Sequence, residues 1–141
     1  MPAAMTIPSR VECIDDVRRW VSARAAEAHA SAEAVADIEL ALTEALANVI
    51  EHGYGGDATK EIRVETEAAA GAFRIAVRDW GQPADPDDFQ RRALDDPGEG
   101  GYGVHLMEGL MDDVRREAQP GGGTLLTLIK RLQPQGNQGR S

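Results

Sequence analysis

Glu44 and Asn48 stand four apart in the run Leu40-Ala41-Leu42-Thr43-Glu44-Ala45-Leu46-Ala47-Asn48-Val49-Ile50-Glu51-His52. On a helix that spacing projects a carboxylate and an amide from adjacent turns toward the same space. A proton acceptor beside a neutral oxygen ligand suits phosphoryl transfer from a magnesium nucleotide, although the same spacing also describes an ordinary amphipathic helix with a polar flank. Asp79 is the second candidate. It continues the parity of Phe73, Ile75 and Val77 in an alternating strand, which aims its carboxylate at the apolar side. A carboxylate placed there needs a hydrogen-bond donor or becomes protonated. Two sources of that donor stay open: an external group, or Asx bonding within the turn Trp80-Gly81-Gln82-Pro83. The third candidate is Gly98-Glu99-Gly100-Gly101-Tyr102-Gly103-Val104-His105-Leu106-Met107. Its glycines expose backbone N–H groups ahead of a helix that starts near Tyr102, a combination that cradles an anion or phosphate. By letter, Gly98, Gly100 and Gly103 also satisfy the dinucleotide fingerprint, but no buried strand precedes them, and no Gly-Lys-Ser or Gly-Lys-Thr occurs anywhere. The Rossmann and Walker readings are therefore rejected.

These residues need elements to hold them. Ile38, Leu42, Ala45 and Val49 recur at helical spacing as a core face, with Asp37, Glu44, Asn48 and Glu51 together on an adjoining polar edge. Ser31 provides the N-cap of this helix, and Gly53, Gly55 and Gly56 end it, leaving His52 as a structural residue of the last turn. A preceding helix is expected over Ile14–His29, with Val17, Val21 and Ala25 facing inward and Trp20 on its flank. Met5–Cys13 reads as a short strand that Pro8 places at an edge or bulge. Lys60–Thr66 and Phe73–Arg78 alternate as strands joined by a loop over Ala68–Gly71, and Val114–Ala118 with Thr124–Leu132 close a second hairpin around Pro120–Gly123. Between the hairpins, Ala84–Pro97 is a polar, proline-bearing connection, Met107 and Met111 fill core, and His105 belongs to a helix surface or interface.

With 42% apolar and 28% charged residues, the 141-residue chain suits one domain over residues 1–132, followed by a glycine- and glutamine-rich tail, 133–141, expected to be disordered. The formal net charge of −9, with no basic face, argues against direct nucleic-acid binding. A single cysteine, Cys13, allows no internal disulfide and no zinc spacing, so a reducing, cytoplasmic setting fits and Cys13 reads as a small buried apolar residue. No apolar run reaches the length of a membrane span, and Met1-Pro2-Ala3-Ala4-Met5 lacks a charged signal-peptide head, so no membrane contact is expected.

Taken in order, Glu44-Ala45-Leu46-Ala47-Asn48 resembles the N box, Asp79-Trp80-Gly81 the first glycine box and Gly101-Tyr102-Gly103-Val104 the second glycine box of the gyrase, Hsp90, histidine kinase and MutL superfamily of ATP-binding domains. Within it, the chain resembles the stand-alone anti-sigma factor serine/threonine kinases of bacterial stress and sporulation switches. The Ile50-Glu51-His52-Gly53-Tyr54 ending and the closing Gly-Gly-Thr hairpin carry that likeness, which spans about Met5 to Leu132.

The resemblance implies a Bergerat-type α/β two-layer sandwich: a mixed, mostly antiparallel sheet covered on one face by helices, with ATP between the layers. It also implies that Asn48 holds Mg2+, that Glu44 is the general base, that Asp79 binds the adenine amino group and that Gly81 lets the base approach. Gly98, Gly100, Gly101 and Gly103 would form a lid around the phosphates, and Thr124 would touch the nucleotide or a bridging water. The implied partners are a sigma factor, an anti-anti-sigma (STAS-type) protein as phosphoacceptor, and a second copy of the chain in a homodimer. No lysine lies between Pro83 and Gly103, so cationic help at the phosphates falls to Arg91, Arg92 or a residue elsewhere. The absence of a preceding phosphoacceptor-histidine helix argues against a histidine kinase, and the absence of a following transducer domain against a gyrase- or MutL-type machine. Two other readings share the same site: a non-catalytic, nucleotide-dependent binding module, and a switch kinase that acts on a signalling complex without contacting a sigma factor.

Overall fold

Every second side chain of β2 (Glu61–Ala69) and β3 (Ala72–Asp79) turns inward, placing Ile62, Val64 and Thr66 beside Phe73, Ile75 and Val77 on one buried face. The two strands pair antiparallel from Arg63 opposite Arg78 to Ala69 opposite Ala72. This leaves a two-residue connection, Ala70-Gly71, with φ of 56° and 75°. Positive φ at both central positions matches the twist of a tight hairpin, so the strands run further than the looser Ala68–Gly71 loop expected from sequence. The computed structural model describes residues 2–81 and 106–132. The expected polar connection Ala84–Pro97, the glycine segment 98–103 and the tail 133–141 lie outside them.

The sheet has five strands in the order β1-β2-β3-β5-β4. β1 (Ala3–Pro8) is one edge, β4 (Asp113–Ala118) the other, and β5 (Thr124–Arg131) lies between β4 and β3. Each described pairing is antiparallel, so the mixed character allowed for in the sequence reading is absent from the described strands. The expected strand Met5–Cys13 is corrected at its end. β1 stops at Pro8, and Ser9 turns away with its N–H on the Lys60 carbonyl (2.9 Å). Val11–Cys13 then forms a 3-10 turn in which Val11 is 67% exposed. Proline has no N–H for a ladder, which an edge strand tolerates at its end.

Helices α1 (Ile14–Glu27) and α2 (Ala32–Asn48) cover the apolar face. Val17, Val21 and Ala25 of α1 and Ile38, Leu42, Ala45 and Leu46 of α2 share one core with Ile62, Val64, Phe73, Ile75, Val77, Leu126 and Leu128 of the sheet. Ser31 caps α2 as expected, its Oγ accepting from Ala34 N at 3.0 Å. Residues 106–110 are helical (α3), and Met107 within this stretch and Met111 directly after it enter the same core.

Alternation in β3 and β5 also decides what lies at the two ends of this face. Register sets Asp79 opposite Thr124, Val77 opposite Leu126, Ile75 opposite Leu128 and Phe73 opposite Lys130. The face is therefore polar at both ends and apolar between. Lys130 Nζ donates to Asp37 Oδ2 (2.9 Å) near the start of α2 and to the Leu110 carbonyl (2.5 Å) at the end of α3. That ammonium ties α2 and α3 to β5 at the end remote from Asp79, where it also faces the negative pole of α3.

Candidate functional site

The opposite end of α2 does not stop as an ordinary helix. Val49–Gly53 widens into a π-helical turn, closed by Tyr54 N on the Val49 carbonyl at 2.8 Å. One extra residue in the turn rotates the exit of the chain, and Gly55 and Gly56, at φ of 60° and 84°, then lead it away. The widened turn delivers Gly53 and Tyr54 to the end of β3. A Cβ added to Gly53 would lie 3.8 Å from Asp79 Oδ1.

Asp79 is 4% exposed, at the apolar parity that the strand pattern expects. Its Oδ1 accepts from Gly81 N at 2.9 Å, so the Asx reading holds. Burial pushes the Asp79 carboxyl above its ordinary value, opposed by the backbone N–H groups of Gly81 and Thr124 and by the Arg78 guanidinium. A carboxylate raised by desolvation gains from any further donor that reaches it. The Asx bond and the search for an external donor are thus compatible.

Gly81 is required by close approach. A Cβ there would stand 2.1 Å from the Gly53 carbonyl oxygen and 3.0 Å from the Tyr54 ring, so the partner that needs the missing side chain, among the described residues, is the π turn. Gly123, at φ of 82°, is under a similar constraint: its Cβ would lie 2.0 Å from the Asp79 carbonyl oxygen. Arg78 secures this corner. Its guanidinium lies 4.7 Å from the centroid of the half-exposed Trp80 ring, and its Nη1 donates to the Gly122 carbonyl at 2.9 Å and to the Asp79 carbonyl.

The polar edge of α2 divides by role. Asp37 belongs to the Lys130 ion pair, and Glu51 is exposed, 3.9 Å from His52 Nε2. Glu44 and Asn48 remain, both half-buried. Glu44 makes no hydrogen bond or ion pair with any described residue. Asn48 Nδ2 is buried and has no partner there either, a costly state for an amide unless a ligand completes it. Amide nitrogen and oxygen exchange by a half-turn of the side chain, so the same group can give a donor to phosphate or an oxygen to a cation. Among the described residues no three His, Cys, Asp or Glu side chains converge on a metal position. A cation at Asn48 would therefore need phosphate and water oxygens to complete its shell, as Mg2+ commonly does. The orphaned amide and the buried carboxylate fit a magnesium nucleotide.

The structure brings Asp79, Gly81 and Thr124 together at one end of the sheet and carries α2, with Glu44 and Asn48, to that end through Gly53. Gly98, Gly100, Gly101, Gly103, Arg91 and Arg92 lie outside the described residues. Sequence reasoning assigned no role to Tyr54, although an aromatic with a polar tip directly after a helix stop was a usable signal. Its buried hydroxyl accepts from Trp80 N at 2.8 Å and donates to the Glu61 carbonyl at 2.5 Å.

The family model for the histidine kinase-like ATPase domain matches residues 7–130. Among curated proteins, the chain is 31% identical over 125 residues to the serine-protein kinase RsbW of Bacillus licheniformis, covering 83% of this chain and 78% of that one. It is 28% identical over 136 residues to the serine-protein kinase RsbW of Bacillus subtilis strain 168, covering 91% and 84%. Among solved structures, the RsbU and RsbW domains of Rv1364c from Mycobacterium tuberculosis align with a TM-score of 0.70 and 28% identity over 94% of this chain and 32% of that chain. The present chain thus spans about a third of that longer one. The catalytic domain of the histidine kinase ThkA, 14% identical with a TM-score of 0.57 over 92% of this chain and 96% of that one, shares the fold.

Proposed function

The chain belongs to the histidine kinase-like ATPase domain family, and from that membership we propose that it is a protein serine/threonine kinase of an anti-sigma switch. It binds a sigma factor and transfers the γ-phosphoryl group of ATP to a serine or threonine of an anti-anti-sigma protein. The names of its relatives as serine-protein kinases support the activity. The observation that carries the reading is Glu44, unpaired among the described residues, one turn from the unpartnered amide of Asn48 on the helix that closes on Asp79.

In this reading Asp79 accepts from the exocyclic amino group of adenine, while Gly81 and Thr124 hold the carboxylate in place, with Thr124 also near the nucleotide or a bridging water. Asn48 would hold Mg2+ together with phosphate oxygens, and the ion supplies charge neutralisation at the phosphates. Gly98, Gly100, Gly101 and Gly103 offer backbone N–H groups to those phosphates. Glu44 takes the proton from the acceptor hydroxyl as its oxygen bonds to the γ-phosphorus and ADP departs. Phosphoryl transfer needs positioning and charge neutralisation more than covalent help, and one carboxylate with one amide suffices for this chain's part. Action as a homodimer in the cytoplasm completes the proposal; no described helix is long and apolar enough to cross a membrane.

The test combines the purified protein, a cognate anti-anti-sigma protein, labelled ATP and magnesium. Wild type should give phosphoserine or phosphothreonine, and Glu44→Ala should slow transfer by roughly 10²- to 10⁴-fold while ATP binding persists. Transfer undiminished in Glu44→Ala removes the base assignment. Absence of transfer from wild type to any cognate antagonist, with ATP still bound, leaves the nucleotide-dependent binding module.

A further inference from the structure

We propose that Tyr54 is a positioning residue for nucleobase selection, its hydroxyl setting the Asp79-Trp80-Gly81 turn at the height where the Asp79 carboxylate reads an amino group. The inference rests on the reading of Asp79 as the adenine acceptor.

Tyr54 follows directly on the π turn and is 9% exposed. Its single oxygen joins three elements. It accepts from the backbone N–H of Trp80, between Asp79 and Gly81, and it donates to the carbonyl of Glu61, the first residue of β2. The ring meanwhile lies against Gly81, where an added Cβ would come within 3.0 Å of it. Burial pushes the phenol up from its ordinary value, so it stays neutral. A neutral phenol can donate and accept at once, and both bonds need that.

The geometry matters because the turn is otherwise held by packing of the Gly53 and Gly123 backbones and by the β5 strand, none of which bonds the Trp80 N–H. Asp79 Oδ1 is engaged with Gly81 N, within the turn itself, and that bond moves with the turn. Tyr54 and Arg78 hydrogen-bond it from outside, and of these two Tyr54 comes from the segment that directly follows the helix carrying Glu44 and Asn48 and its π turn. The hydroxyl therefore sets the distance between the end that reads the base and the end that handles phosphate. Loss of the oxygen leaves the Trp80 N–H and the Glu61 carbonyl without their described partner and lets the turn shift within the play that the Gly53 and Gly123 contacts leave it.

Tyr54→Phe removes one atom and keeps the ring that fills the core. The readout is binding of ATP against ITP, which carries a carbonyl oxygen where ATP carries the exocyclic amino group. In wild type ATP should bind more tightly than ITP. In Tyr54→Phe the ATP dissociation constant should rise about tenfold, the order expected when a part-buried donor loses its acceptor, while that for ITP changes by less than about twofold. A merely structural role weakens both nucleotides in parallel or neither, and either result overturns the inference. Wild type that binds both nucleotides equally removes the Asp79 reading as well, which separates the two failures.

Should the variant fail to fold, hydrogen exchange on wild type decides. ATP should slow exchange of the Trp80 and Gly81 amides relative to those in the β2–β3 hairpin. Unchanged exchange at both amides on saturation with ATP overturns the proposal.

Discussion

Replacing Gly81 with alanine tests the packing on which the site is built. The new methyl group would start 2.1 Å from the Gly53 carbonyl oxygen and 2.7 Å from its carbon. Ordinary contact requires more than an ångström of extra separation, and the obstacle is backbone, so no rotamer relieves it. Gly123 presses on the Asp79 and Trp80 backbone from another side, which limits retreat of the turn. Forced overpacking of this kind costs about 3 kcal/mol, and in a domain of this size that lowers the melting midpoint by about 10 °C. Two other glycines calibrate the scale. Gly55 has φ of 60° and open space around its Cβ position, so Gly55→Ala carries only left-handed strain of about 1–2 kcal/mol. Gly109 lies within α3 with nothing within 4 Å, and Gly109→Ala should stabilise by about 0.5–1 kcal/mol through helix propensity. Urea denaturation of the four proteins should rank Gly109→Ala above wild type, then Gly55→Ala, then Gly81→Ala, with ATP binding weakened selectively in the last. Stability of Gly81→Ala within about 0.5 kcal/mol of wild type would refute the close approach of the π turn to the Asp79 corner.

Asp79 has a carboxyl raised by burial above its ordinary 3.8, so between 3.8 and its folded value the folded protein holds a proton that the unfolded chain releases. The stability it contributes is full below 3.8 and declines as pH rises through the folded value. Asp79→Asn should remove that slope and leave apo stability at pH 7 equal or higher while weakening ATP binding; a clear loss of apo stability at pH 7 would contradict the burial argument. Ala70 sits at φ of 56° in the β2–β3 turn, so Ala70→Gly should stabilise by about 1 kcal/mol in thermal melts, and a destabilised variant would refute the turn assignment. Lys130→Met removes the ammonium that joins Asp37 to the Leu110 carbonyl, with side chains 16% and 27% exposed at the ion pair. A loss of about 2 kcal/mol is expected, with a double-mutant cycle against Asp37→Asn showing coupling; additive effects would mean that the pair does not act as one unit.

Much of the fold was legible because alternation and helical spacing report burial directly. Phe73, Ile75, Val77 and Asp79 all face the core as their parity requires, and Val17, Val21, Ala25, Ile38, Leu42 and Ala45 are buried as their spacing requires. The strand through Cys13 misled because Ile7, Val11 and Cys13 keep the right parity while Pro8 and Ser9 turn the chain. Ser9 is 1% exposed through bonds to residues 57 and 60, and such distant partners leave no mark on local pattern.

The sequence by itself determined the chemistry on offer. A carboxylate and an amide one helical turn apart, an acid at an apolar parity, and glycines ahead of a helix follow from covalent order and the two periodicities, which need no long-range information. Only the tertiary structure decided which of those groups are free to act. Asp37 and Glu44 look alike on the helix edge, yet Lys130, 93 residues from Asp37, engages one and leaves the other without a described partner. Likewise Gly81 reads as turn chemistry until Gly53 is found against it, and Tyr54 has no visible role until its hydroxyl meets Trp80 and Glu61. Ion pairs, close approaches and buried hydrogen bonds are properties of pairs, and the chain chooses those pairs only on folding.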